Sequence, residues 1–186
     1  MKTIDYYMSP GSPWTYLGHG RLGEIARRHG ATINVRPADF PAGIFPQSGG
    51  LPLPKRAPQR QAYRLIELKR WKEYLGIPLV VQPRHFPVDS NPSGWLICAA
   101  PEEKRMALAG DLLAALWKED RNIADPAVLD EIGGRHGVSG SDREKYAAYT
   151  QEAVGRGVFG APSYVYRDEI FWGQDRLDFL ERALKR

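Results

Sequence analysis

The apolar period of this chain changes in a fixed order, and that order restricts its fold more than any single residue does. Residues 3–7 (TIDYY) are strand-like, and Pro13 to His29 then carries a helical stripe of Leu22, Ile25 and Ala26 that stops at Gly30. "ATINV", from Ala31, alternates as a second strand. A β-α-β opening of this kind is a right-handed crossover with its helix on one face of a parallel sheet. Helical spacing fills the middle of the chain. The period returns to two only in "APSYVYRDEIFWG", Ala161 to Gly173, where two short strands flank Arg167-Asp168-Glu169. "QDRLDFLERALKR" closes the chain as an amphipathic helix.

Pro41 to Pro58 is rich in Pro and Gly and is expected to be a loop; one that long in a compact protein is usually functional or covers something. A helix is expected from about Pro58 to Leu75, ended by Gly76 and Pro78, and a second one through Met106, Ala109, Leu112, Leu113, Leu116 and Trp117. Two shorter ones are expected near 126–136 and 141–155, the first opened by Asp125-Pro126. "PLVVQPRHFPVDSNPS", Pro78 to Ser93, reads as irregular. The result is an α/β chain in a thioredoxin-like arrangement. Residues 1–40 and 157–186 form its discontinuous sheet domain, and 41–156 an inserted all-helical domain.

With 186 residues, 42% hydrophobic and 26% charged, the chain can bury a proper core and reads as a soluble globular protein. No apolar run reaches the roughly 18 residues of a membrane span, and the N-terminus lacks a secretory apolar region. A cytoplasmic protein without a membrane partner is expected. The lone cysteine, Cys98 in "GWLICAA", excludes an internal disulfide and a CxxC redox pair, and its apolar setting suits an inert thiol. His19, His29, His85 and His136 are scattered, without metal-ligand spacing, so no metal is expected. The net charge of +4 is concentrated in Lys55, Arg56, Arg60, Arg64, Lys69, Arg70 and Lys72, opposed there only by Glu67 and Glu73. The stretch lacks the aromatic interleaving that stacks bases, which argues against nucleic acid. It leaves two readings open, a solvated helix face or a basic rim that draws a small anion.

Three motifs carry candidate chemistry. Ser12-Pro13 sits where the first strand meets the first helix: serine is favoured as the cap and proline at the first helical position. The same place is an anion site, where a hydroxyl beside the positive helix end can donate to a thiolate or oxyanion. Thioredoxins place their nucleophilic cysteine here, with its pKa lowered by the helix end. An oxygen in that place suits holding a thiolate that belongs to another molecule. In "VFGAPS", Val158 to Ser163, Pro162 opens a strand where a thioredoxin-like fold carries its cis-proline. In "FWGQDRL", Phe171 to Leu177, Gln174 or Asp175 either caps the last helix or meets a ligand, with Asp175 opposite an ammonium.

Together "SPWTYLG", "RQAYRLIELKRWKEYLGIPL", "VFGAPS" and "FWGQDRL" resemble the 2-hydroxychromene-2-carboxylate isomerases, a family close to the kappa-class glutathione transferases and more distantly to bacterial disulfide-forming thioredoxin relatives. The likeness runs from Ile4 to Leu184. It implies glutathione as the cofactor, a small aromatic or conjugated carbonyl substrate, and a homodimer. It implies that Ser12 is catalytic, its hydroxyl supporting the glutathione thiolate, and that Ala161 pairs with the cysteinyl part of glutathione, with Pro162 as the family's cis-proline. Gln174 and Asp175 match the segment that holds the γ-glutamyl group, and Arg60 falls where many members have lysine, facing a glutathione carboxylate. Trp14, Phe45, Phe86 and Trp172 either line the substrate pocket or only fill the core, where large aromatics more often lie. The implied activity is isomerisation by reversible thiolate addition. The alternatives are a kappa-like transferase or peroxidase and a non-catalytic binding module. The chain departs from the family at Gly11, in "SGGLPLP", which lacks an asparagine, and in "FPVD", Phe86 to Asp89, where the family reads "FPVN". All three lie where a second substrate's pocket would be shaped.

Overall fold

The computed structural model describes residues 1–186. Four strands form one mixed sheet in the order β2-β1-β3-β4. β1 (Lys2–Met8) and β2 (Ala31–Pro37) run parallel, joined through α1 (Pro13–His29). β3 (Ser163–Tyr166) lies antiparallel along the other side of β1, and β4 (Glu169–Trp172) turns back along β3. Arg167 and Asp168 make that turn with φ of 50° and 62°, the two-residue geometry whose twist suits a hairpin. α8 (Leu177–Leu184) then packs Leu177, Leu180 and Leu184 into the core. The β-α-β opening and β-β-α ending are as the periodicity predicts.

The middle of the chain supplies α2 (Phe45–Ser48), α3 (Pro58–Leu75), α4 (Asn91–Ala99), α5 (Glu102–Trp117), α6 (Pro126–Arg135) and α7 (Arg143–Gly155). Asp125 caps α6 by accepting from the Ala127 N–H at 2.9 Å, as its sequence context predicts. Two segments differ from expectation. The stretch predicted as loop from Pro41 contains most of a single π-helical turn, Phe40–Ile44, then α2 and a 3-10 turn at Leu53–Lys55. Burial of Phe40 and Ile44 against Tyr7, Ala153, Val158 and Val165 holds it in place. α4 begins inside the segment read as irregular. Its Pro92 lies in the first turn, where no intrahelical N–H is needed. Its Gly94 is where Tyr146 of α7 packs: a Cβ there would lie 2.4 Å from the Tyr146 ring. Residues that look like helix breakers are here fitted to a helix start and a close helix contact.

One cluster of 29 buried residues joins Ile4, Tyr6 and Met8 of β1 and Leu17 and Leu22 of α1 to Leu108, Leu112, Leu116 and Trp117 of α5 and Ile132 of α6. The sheet and the inserted helices therefore share one apolar core. No helix is long and apolar enough to cross a membrane.

A charged layer lies along β1 and β2. The Asp5 carboxylate accepts from Asn34 Nδ2 (2.8 Å), Arg36 Nε (3.1 Å) and Arg156 Nη1 (2.9 Å). Burial pushes this carboxyl up, but Asn34, Arg36 and Arg156 together outweigh burial and hold it below the ordinary aspartate value. A depressed carboxyl adds stability that is present above its unfolded pKa, about 3.9, and is lost as pH falls through its folded value. Urea denaturation at stepped pH should show wild type losing stability below about pH 4, with a shallower loss in Asp5→Asn. Identical acid slopes would remove Asp5 from the account.

Candidate functional site

The sheet topology delivers the end of β1, the start of β3 and the end of β4 to one edge of the molecule. Ser163 pairs with Tyr7 on one side and with Trp172 on the other. The turns that follow Met8, precede Ser163 and follow Trp172 are therefore neighbours. The Gly173 N–H donates to the Pro162 carbonyl at 2.9 Å and ties the last two together.

The first turn carries Ser12. Its Oγ accepts from the Thr15 N–H at 3.2 Å, and Pro13 takes the first helical position, so the local reading of the pair as a helix start is correct. A hydroxyl that accepts in the cap keeps its own proton free to donate. The Trp14 N–H makes no backbone hydrogen bond, and α1 has no acidic residue in its first turn to offset the positive end. Ser12 and the helix start thus present two donors and a partial positive charge, suited to a thiolate or an oxyanion. The chain's own thiol is elsewhere. Cys98 is buried in α4, and burial pushes it up to about 12.

The second turn holds Ala161-Pro162, joined by a cis peptide bond. The Ala161 amide and carbonyl form no backbone hydrogen bond within the chain. Trp172 stands beside this turn, half exposed, edge-on to Phe159 with ring centroids 4.8 Å apart. It covers Gly160, where a Cβ would lie 2.3 Å from the Trp172 Nε1.

In the third turn Gln174 and Asp175 diverge. Gln174 is buried, and Arg21 of α1 donates to its Oε1 at 3.0 Å and to its carbonyl at 3.2 Å. Asp175 is exposed, beside Arg176 at 2.9 Å. Neither side chain caps the last helix. Gly18 lets α1 approach this turn, since a Cβ there would sit 2.7 Å from the Tyr164 hydroxyl and 2.9 Å from Gln174 Cβ.

A wall against the Ser12 turn comes from the segment before α4, which contains a second cis bond, Phe86-Pro87. Ser90 Oγ lies 3.4 Å from Ser9 Oγ. A Cβ at Gly11 would be 3.3 Å from Ser90 Cβ and 3.8 Å from Val88 Cγ1, so the glycine keeps the turn and the wall together. Phe86 packs at a tilt against Trp117, ring centroids 4.9 Å apart, and the Arg64 guanidinium lies over Phe86 at 4.7 Å.

The fold brings Ser12, Ala161, Pro162, Trp172 and Asp175 to one edge. It places Phe86 on the adjoining wall and Trp14 half-buried against the main core. Phe45 packs against a separate cluster with Tyr7, Phe40 and Val158. Arg60 is exposed in the first turn of α3. Arg21, Gly18 and the Ser90 contact were not legible as site residues. Each acts through a partner more than 70 positions away, and no local pattern marks it.

A thioredoxin-type sheet with a capped helix start beside a cis-proline defines a class, and the comparisons agree with it. The chain matches the DSBA-like thioredoxin domain over residues 3–185 and belongs to that family, within which it groups with the 2-hydroxychromene-2-carboxylate isomerases. It is 32% identical to a protein of that name from Sphingobium xenophagum, covering 98% of both chains, and 29% identical to one from Pseudomonas putida, covering 98% of this chain and 94% of that one. A solved 2-hydroxychromene-2-carboxylate isomerase superposes with a TM-score of 0.81 at 26% identity, covering 99% of this chain and 95% of that one. The glutathione S-transferase kappa 2 of Caenorhabditis elegans is 24% identical over 99% of this chain and 94% of that one.

Proposed function

We propose that this protein is a glutathione-dependent isomerase acting on a conjugated, carboxylated ring compound of the 2-hydroxychromene-2-carboxylate type. One observation carries the reading. The Ser12 oxygen is engaged as acceptor by Thr15, so its proton is available at a helix start that lacks an acidic side chain. Such a site stabilises an incoming thiolate, and the chain has none of its own there.

Glutathione, when bound, supplies a thiolate that adds reversibly to the substrate's conjugated carbon, lets the former double bond turn, and leaves. Most of the residues that would hold it come from the three turns at one edge, with Phe86 from the adjoining wall and Arg60 from the first turn of α3. The Ser12 hydroxyl would donate a hydrogen bond to the sulfur, and the Trp14 N–H would add a second dipole. The free amide and carbonyl of Ala161 offer a strand-like pair of hydrogen bonds to the cysteinyl backbone. Asp175 faces the γ-glutamyl ammonium, and Arg60 a carboxylate. Trp172 and Phe86 offer apolar surface to a planar ring. Gln174 contributes by position, since Arg21 already occupies its side-chain oxygen.

A second reading, a kappa-like transferase, is favoured by the likeness to the kappa 2 protein. The two differ in what happens to glutathione, which a transferase consumes and an isomerase returns. The experiment is an ultraviolet difference titration with glutathione from pH 5 to 9, followed at the thiolate band. The bound thiol should titrate about two pH units below its free value of about 8.5. An unshifted thiol would sink the reading. Constant free glutathione over many turnovers of a cis-trans enone then separates isomerase from transferase.

A further inference from the structure

We propose that Arg64, with Arg56 and Arg60 on the same side, forms a carboxylate-binding site on the wall beside the Ser12 turn. The sequence leaves open whether this basic stretch is a solvated face or an anion site, and the packing decides between them. Arg60 and Arg64 are one turn apart on α3, a spacing that puts like charges side by side, and Arg56 lies in the extended residues just before the helix. A solvated arginine extends into water, but the Arg64 guanidinium does not. Its Cζ lies over the Phe86 ring (4.7 Å) and near that of Trp117 (5.8 Å), and its Nη2 is buried without an acceptor.

No carboxylate compensates. Burial and then the charge of Arg56 push the Arg64 guanidinium down to about 10, and burial and Arg60 lower that of Arg56 in turn. The helix is not short of acids where a structural ion pair is formed: Arg70 pairs with Glu67 at 2.8 Å one turn further on. Phe86 connects the cluster to the candidate site, because Val88, two residues on, lies against Gly11. A guanidinium set against two aromatic rings, with donors that have no partner in the chain, fits the plane of a carboxylate.

This deepens the proposed function by assigning a carboxylate subsite to the same edge. Two sources carry that chemistry: the glycine carboxylate of glutathione and the ring carboxylate of the second substrate. Calorimetric titration at pH 7 with two matched pairs separates them. One pair is glutathione and its glycyl ethyl ester; the other is chromone-2-carboxylate and its carboxamide. Wild type should prefer the carboxylate of one pair by about tenfold or more, and that pair names the source. Arg64→Met, which keeps contact with Phe86 and Trp117, should lose the preference and bind the neutral partner unchanged. Arg64→Lys should recover part of it, and Arg56→Gln should lower it by a smaller factor.

Equal weakening of charged and neutral probes in Arg64→Met would make Arg64 a packing residue and overturn the proposal. So would the lack of a carboxylate preference in either pair for wild type, even where glutathione binds and the isomerase reading survives. An Arg64-dependent preference for chromone-2-carboxylate, without any binding of glutathione, would support the carboxylate site and sink the glutathione reading instead.

Discussion

On the proposed function, Ser12→Ala should lower kcat by about 10²-fold or more at saturating glutathione, because it would delete a preorganised donor to the bound sulfur. The bound thiol should titrate close to its free value of about 8.5. The substitution also removes a helix cap, at a cost of about 1 kcal/mol. That cost alone can lower activity in a marginal protein, so the variant needs partners. Ser12→Thr retains both the cap and the hydroxyl and should keep most of the activity. Ser12→Asp retains a strong cap and suits the positive helix end, but it brings no donor and a negative charge toward the sulfur. It should melt like wild type and be at least as inactive as Ser12→Ala. Activity in Ser12→Asp comparable to wild type would reduce Ser12 to a cap.

Of these two roles the structure shows the cap, and the cap was legible in the sequence for a physical reason. Capping is local: Ser12 acts on Thr15, three residues away, and Pro13 fixes the helix start between them. The sheet was legible for the same reason, since its halves announce themselves by a period of two and by the turn at Arg167-Asp168. Gln174 shows the limit. Its neighbours in sequence leave it free to face a ligand, but Arg21, 153 positions earlier, turns it inward. α4 was missed because Pro92 and Gly94 are penalised by propensity, whereas the first turn tolerates the proline and the Tyr146 ring fills the space where a side chain at 94 would stand. The basic stretch was seen, but charge counting cannot tell Arg70, paired at the surface, from Arg64, set over Phe86 without a carboxylate.

A different arginine should dominate stability. Arg105 of α5 is 4% exposed. Its Nε donates to the Ala100 carbonyl at 2.9 Å, Nη2 to the Cys98 carbonyl at 3.3 Å, and Nη1 to the Tyr149 hydroxyl at 2.9 Å, while Glu102 pairs with it from the preceding turn. One guanidinium thereby caps the end of α4 and docks α7. Glu102 also accepts from the Val35 N–H at 3.1 Å, which extends the unit to β2. Arg105→Met keeps much of the volume but leaves the Ala100 carbonyl and Glu102 without this partner. It should cost about 2–3 kcal/mol, chiefly from the Ala100 carbonyl left without its donor, since Glu102 is 45% exposed and can be solvated. Arg105→Lys keeps the charge but not the fork and should recover only part. Arg84→Ala is the control. Its pair with Asp120 at 2.7 Å is shorter than most, but Arg84 is 78% exposed, and an exposed pair contributes about 1 kcal/mol or less. Urea midpoints for the three variants should therefore rank Arg105→Met well below Arg105→Lys, with Arg84→Ala near wild type. An Arg105→Met midpoint within the Arg84→Ala range would mean that α4 and α7 are held by apolar packing, with Gly94 against Tyr146 as the contact that matters.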